Sequence, residues 1–210
     1  MQVKFCGLTQ VDDIVHASAA GATAIGLVMV KKSPRWVSNK QAAILAAQAR
    51  QAGLQVVALF VDQPVAEVQV VIDQVKPDVL QFHGQEPAAY CDQFVVPYWK
   101  AVPMLADSNW QRYIEGYPQA AAYLLDCFGG QQMGGSGKQF DWFQFPASLL
   151  NKMILAGGLN ASNVAVAIQA TGTRFVDTSS GIESAPGVKS KEKMQAFMAA
   201  IHTTNNKINA

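Results

Sequence analysis

Residues 153–184 read MILAGGLNASNVAVAIQATGTRFVDTSSGIES. MILA and FVDT are short apolar runs, and between them NVAVAIQA carries apolar residues at three- and four-residue spacing, which predicts strand, helix, strand. Gly157 and Gly158 separate the first strand from a helix whose start is offered by Asn160 or Ser162, and Gly172 follows its end. Bare glycine amides beside a helix N-terminus suit a phosphate, and DTSSGIES repeats the equipment after the next strand with Ser179, Ser180 and Gly181. Glycines also serve tight turns, so one such loop alone decides nothing; two adjacent ones favour an anion site.

The alternation runs back through the whole chain. VKFC from Val3, AIGLV from Ala24, VVALF from Val56, VLQF from Val79, YWKAV from Tyr98 and AYLLD from Ala122 are further short runs rich in β-branched and apolar residues. VDDIVHASAA, QAAILAAQARQA, AEVQVVIDQV and KMQAFMAAI have helical spacing. Ser38 with Gln41, and Thr9 with Asp12, have capping-box spacing; Pro64 suits a first helical position, and Gly53 follows a helix end. Eight strand-helix units predict a parallel sheet closed into a single (β/α)8 TIM barrel, with residues 1–210 forming one catalytic domain. An open doubly wound sheet is the alternative. It is disfavoured because no GxGxxG follows the first strand and the phosphate-type loops come late, where a barrel places them after strands seven and eight.

The two longest units follow strands two and six, and their extra residues, VMVKKSPRWVS and DCFGGQQMGGSGKQF, come directly after the strand. In a barrel that is the catalytic face. Asp126 ends strand six and Cys6 ends strand one. A carboxylate at the end of an apolar run is costly unless protonated or paired; the plainer account is an Asp that accepts from loop amides. Most unpaired cysteines are small buried hydrophobes. Cys91 in PAAYCDQF and Cys127 read as packing, whereas only Cys6 sits at a strand's C-terminal end.

Composition narrows the partners. The 210 residues are 50% hydrophobic and 15% charged with a formal net charge of +1, which argues against a disordered chain and a polybasic nucleic-acid binder. Three scattered cysteines, with no CxxC pair, indicate neither a disulfide framework nor a metal site. The opening MQVKFCG lacks a signal-peptide pattern and no run reaches the ~18 apolar residues of a membrane span, so a cytoplasmic protein with no membrane partner is expected.

KFCGLT, SPRWV, LQFHG, LLD followed by GGSGKQFDW, ILAGGL and SSGIESAPGVK occur in this order, each at a strand-to-helix junction. With them the chain closely resembles the phosphoribosylanthranilate isomerase family of tryptophan biosynthesis over nearly its whole length. The resemblance implies a barrel that converts N-(5-phosphoribosyl)anthranilate to the corresponding 1-deoxyribulose 5-phosphate by an Amadori rearrangement. It implies Cys6 as general base, Asp126 as general acid, Arg35 as the contact for the anthranilate, and Gly157, Gly158, Ser180 and Gly181 as the phosphate loops. Asp177 and His83 are expected to touch substrate or support those that do; Trp36 could line the aromatic site or cap the barrel. No cofactor or metal is expected, because the substrate nitrogen is itself the electron sink. The partner is the small-molecule substrate, and a monomer is expected. Departures from the family are small: Phe5 where an aliphatic is usual, the residues before SPRW, and Ser136 where Thr is commoner. A resting thiol is only a few per cent thiolate at neutral pH, so oriented amides are expected to assist Cys6.

Overall fold

The computed structural model describes residues 1–104, 109–126, 142 and 145–208. Eight strands, β1 (Gln2–Cys6), β2 (Ala24–Val28), β3 (Gln55–Phe60), β4 (Val79–Phe82), β5 (Tyr98–Pro103), β6 (Ala122–Asp126), β7 (Met153–Leu155) and β8 (Phe175–Thr178), pair in sequence order and close on themselves. Every pairing in the ring is parallel, including β8 on β1. Closure leaves no strand edge, so the barrel expectation holds and the open sheet is excluded.

Seven α-helices lie among the described residues: α1 (Val11–Ala20), α2 (Asn39–Gln51), α3 (Val65–Val75), α4 (Ala88–Cys91), α5 (Trp110–Glu115), α6 (Val164–Thr171) and α7 (Lys191–Ile208). The eighth expected helix is absent from the described part of unit six, where a 3-10 turn, Ala147–Leu149, follows Pro146 and the chain enters β7 almost at once. Residues 127–141, which include Cys127, Ser136 and most of GGSGKQFDW, lie outside the described residues. α4 stops after one turn instead of running through PAAYCDQF, because two β-branched valines and Pro97 follow closely and disfavour helix.

Some caps shift from their expected places. Ser38 does cap α2, its hydroxyl accepting from the Gln41 amide at 3.2 Å. At α1 the carboxylate that closes the first turn is Asp13, not Asp12; it accepts from the amides of Thr9 and Gln10 at 2.9 Å each. α6 starts after Asn163 rather than after Asn160 or Ser162. Pro64 is the residue before α3, and Gly172 ends α6 in the left-handed conformation that glycine adopts without strain.

Strand alternation divides the core into two layers. Val3, Phe5, Ile25, Val56, Phe60, Phe82 and Leu125 face the helices, where the Phe5 ring meets Phe197 of α7 edge to face at 5.9 Å. Val57, Val79, Trp99, Leu124 and Ile154 fill the barrel interior instead. Above them Cys6, Val28 and Leu59 form a separate small cluster at the C-terminal ends of their strands. A short antiparallel hairpin, β9 (Glu183–Ala185) with β10 (Val188–Lys189), follows β8.

Candidate active site

The same alternation fixes which side chains reach the C-terminal mouth. Counting in twos from the interior-facing residues gives Cys6 on β1, His83 just past β4, Asp126 on β6, Ala156 just past β7 and Asp177 on β8. All five line one cavity of about 310 Å³. Arg35, Gly157, Gly158 and Ser180 line it too. Thus eight of the nine sequence-expected site residues converge on one space, although the chain separates the first from the last by most of its length. Gly181 is the exception, for a steric reason. A Cβ there would stand 1.9 Å from the Leu159 carbonyl oxygen, so it is glycine because the β8 loop presses on the β7 loop. Thr178 fastens the same contact by donating its hydroxyl to Leu159 O at 2.7 Å.

Cys6 is 4% exposed and its sulfur lies over Gly26 of β2, its pairing partner. Lys4, two residues back on the same face of β1, is fully buried and its ammonium pairs with Asp177 Oδ1 at 2.7 Å. Asp177 therefore commits one carboxylate oxygen to a lysine. Burial pushes the Cys6 thiol up, and the charge and hydrogen bonding of Lys4 oppose that rise most strongly. Burial by itself would lower the Lys4 ammonium, but Asp177 and Cys6 together outweigh it and hold it above its ordinary range. The largest influence against that rise is thus a buried cation, Lys4, which the sequence reading did not single out.

Asp126 faces His83 across the mouth, with His83 Nε2 3.3 Å from Asp126 Oδ2. Behind it, Gln81 Nε2 lies 2.9 Å from His83 Nδ1. In the tautomer in which the Gln81 amide donates to Nδ1, the nitrogen that faces the carboxyl group is the one that carries the proton. Gln81 and His83 are again two apart on one inward face, so the pair arrives already aligned.

Arg35 is held in a two-pronged pair with Glu183, Nε to Oε1 at 2.7 Å and Nη2 to Oε2 at 2.8 Å. Lys189 reaches the same Oε1 at 2.7 Å and also donates to Ser179 O. Burial alone would raise the Glu183 carboxyl, but the hydrogen bonds and charges of Arg35 and Lys189 outweigh it and hold it below the usual range. Ser179 in turn donates to Cys6 O at 3.0 Å, so the loops after β1, β2 and β8 are tied together. Gly7 has φ +74° and a Cβ on it would stand 2.6 Å from Arg35 Cδ, so the arginine stem lies against the backbone next to Cys6. Trp36 is 42% exposed and lines a separate surface depression, not this cavity.

Gly157 and Gly158 take φ of 82° and 67°. Among the described residues their amides have no protein partner, and Asn163 braces the loop by donating to Gly158 O at 2.9 Å. Such amides at the mouth, beside Ser179 and Ser180, are donors of the kind that suit an anion. Among the described residues no three His, Cys, Asp or Glu side chains group to hold a metal ion, and no helix is long and apolar enough to cross a membrane.

Sequence reasoning missed Lys4, Gln81, Glu183 and Lys189. The first two carried a signal: a lysine and a glutamine in the middle of the apolar runs VKFC and VLQF. Cys91 behaves as expected, buried in α4 and packed.

A family model described as N-(5'phosphoribosyl)anthranilate (PRA) isomerase matches residues 3–200. Relatives named N-(5'-phosphoribosyl)anthranilate isomerase include one from Cellvibrio japonicus, 43% identical over 212 residues, covering 100% of this chain and 97% of the relative. Another, from Xanthomonas oryzae pv. oryzae, is 41% identical over 206 residues, covering 95% and 92%. Among solved structures, the phosphoribosyl anthranilate isomerase of Thermotoga maritima superposes with a TM-score of 0.83 at 30% identity, covering 98% of this chain and 99% of that one. A phosphoribosyl anthranilate isomerase in complex with reduced 1-(o-carboxyphenylamino)-1-deoxyribulose 5-phosphate gives a TM-score of 0.79 at 26% identity, with 97% and 99% covered.

Proposed function

The chain belongs to the N-(5'-phosphoribosyl)anthranilate isomerase family and carries out that Amadori rearrangement in tryptophan biosynthesis, and from this premise we propose that Cys6 is its general base and Asp126 its general acid. The observation that carries the assignment is that the two face one cavity from β1 and β6, with an amide cradle on the intervening β7 and β8 loops.

The phosphate of N-(5-phosphoribosyl)anthranilate sits on the amides of Gly157, Gly158 and Ser180. Anchoring there holds the ribose between the acid and the base, which converts the proton transfers into steps within one complex. Asp126 gives its proton to the ribose ring oxygen; the C1–O bond breaks as the anilino nitrogen's lone pair forms the C1=N iminium. The Cys6 thiolate removes the C2 proton, and the C2–H electrons form the C1=C2 bond of an enolamine while the nitrogen regains its pair. Protonation at C1 and loss of the C2 hydroxyl proton give the ketone, so the product is an isomer and no electrons are exchanged with a cofactor.

Arg35 contacts the anthranilate carboxylate. Its Nε and Nη2 belong to Glu183, so Nη1 is the nitrogen offered, and Glu183 fixes the plane of the guanidinium. His83 orients the Asp126 carboxyl. Among the described residues the named groups need no residue from a second copy, and a monomer acting as a single catalytic domain in the cytoplasm is part of the same proposal. The test is turnover of phosphoribosylanthranilate followed by its fluorescence. Cys6→Ala and Asp126→Asn each lose roughly a hundredfold or more in kcat with KM altered far less. Near-normal rates in both remove the assignment.

A further inference from the structure

The base proposed above is a buried thiol, and burial opposes the anion it must become. Its surroundings contain a compensating group that the reaction scheme does not use. Lys4 and Cys6 are alternate residues of β1, so both side chains point into the barrel and Lys4 lies one layer below the sulfur. Lys4 pairs in register with Ala24 on one side and with Asp177 on the other. The small neighbour leaves room for the lysine, and the acidic one takes its ammonium at 2.7 Å. Farther up, Cys6 pairs with Gly26. A Cβ on Gly26 would stand 2.7 Å from Cys6 Sγ and 3.0 Å from Lys4 Cε, so the end of the lysine and the sulfur share the space that this glycine leaves.

We propose that Lys4 is a positioning residue for the base: the end of its side chain shares the space over Gly26 with the Cys6 sulfur, and its ammonium, held by Asp177, stabilises the thiolate that takes the C2 proton. The thiol proton leaves to water before the chemistry, and Lys4 stays charged throughout. This inference rests on Cys6 being the base. The charged groups acting on Cys6 are Lys4 from β1, Asp177 from β8, Lys189 from β10 and Arg35 from the loop after β2, with Asp126 and His83 across the cavity. Lys189 and Arg35 are both engaged by Glu183, whose negative charge offsets theirs. Asp177 works against the thiolate, but more weakly than Lys4 favours it. The net assistance is therefore the lysine's.

A purely structural ion pair would also bury Lys4 on Asp177, and thiol titration separates the two. Alkylation of Cys6 by iodoacetamide, read on its own peptide by mass spectrometry across pH, reports the thiolate fraction. Two neutral variants are made in the full chain, Lys4→Gln, which can still bond Asp177, and Lys4→Met with Asp177→Asn, which removes both charges. In Lys4→Gln the Cys6 midpoint moves up by about one pH unit or more, leaving roughly a tenth of the thiolate at neutral pH. In the double variant, which also loses the opposing Asp177 charge, it moves up by less. In Lys4→Gln, kcat falls by a similar factor and recovers as pH rises, KM changes less than about threefold, and Lys4→Arg restores most of the loss. A folded neutral variant whose Cys6 midpoint equals the parent's overturns the proposal. Should neither neutral variant fold, the Lys4 Nζ nitrogen resonance is compared between the parent and Cys6→Ser; an unchanged resonance overturns it equally. Cys6→Ala separates this from the underlying assignment: retained turnover removes Cys6 as base, while an inactive Cys6→Ala beside unmoved Cys6 titration in the lysine variants removes only the role of Lys4.

Discussion

Replacing Gly26 by alanine adds one methyl group to the inner face of β2, and the structure says where it must go. The backbone at Gly26 is ordinary extended strand, so alanine meets no conformational barrier and would by itself favour the strand. Its Cβ, however, would stand 2.7 Å from Cys6 Sγ, 3.0 Å from Lys4 Cε and 3.1 Å from Cys6 Cα. Parting the strands does not relieve this, because Gly26 O accepts from the amides of Gly7 and Leu8 at 2.8 and 3.2 Å. The sulfur has one rotatable bond and is the atom that yields. Overpacking of this kind costs about 1–3 kcal/mol, against which alanine recovers about 0.5–1 from the lost freedom of glycine, so a net destabilisation of about 1–2 kcal/mol is expected. The kinetic effect exceeds the stability effect, since displacing a reacting group by about 1 Å can cost on the order of a hundredfold. Urea unfolding and turnover at saturating substrate are the assays: kcat falls tenfold to a hundredfold by this estimate while the protein remains folded. Unchanged stability together with unchanged kcat would show that the sulfur does not occupy the space over Gly26.

Three further outcomes follow from the contacts around the mouth. Gly7→Ala combines a positive φ with a Cβ 2.6 Å from Arg35 Cδ, so it raises KM through the displaced arginine and lowers stability in the same unfolding assay. Lys100→Met leaves the buried Glu86 without the ammonium at 2.8 Å, and thermal unfolding should show a loss of about 3–5 kcal/mol with kcat of the folded protein nearly unchanged, because that pair lies outside the cavity. Glu183 is held below its free value in the folded chain, so its contribution to stability is complete above the free carboxylate range near ~4.3 and is lost as pH falls through the lower folded value. Unfolding midpoints followed down from neutral pH should therefore decline more steeply in the parent than in Glu183→Gln; parallel curves contradict the depressed carboxyl.

What the sequence made legible was whatever repeats locally. The β-branched runs sit within a residue or two of the strands because burial on both faces demands continuous apolar residues, and AYLLD and FVDT match β6 and β8 end to end. Helix ends were less legible, since several residues near each end can cap: Asp13 took the role that the spacing offered to Asp12. The site's outline was readable because a barrel sends every strand end to one face. Its wiring was not. Lys4 with Asp177 lies 173 residues apart and Arg35 with Glu183 148 apart, and both pairs exist only once β8 closes on β1. Gly181 carries a further reason that the sequence did not show: whatever its amide binds, the neighbouring loop's carbonyl leaves no room for a side chain there.

The most direct measurement is a crystal structure of this chain with reduced 1-(o-carboxyphenylamino)-1-deoxyribulose 5-phosphate, the ligand bound in one of its structural neighbours. The expected complex has the phosphate on the amides of Gly157, Gly158 and Ser180, C2 within contact of Cys6 Sγ, and the sugar oxygen that was the ring oxygen beside Asp126. A phosphate seated elsewhere on the barrel, or a sugar bound with C2 turned away from the sulfur, contradicts the account.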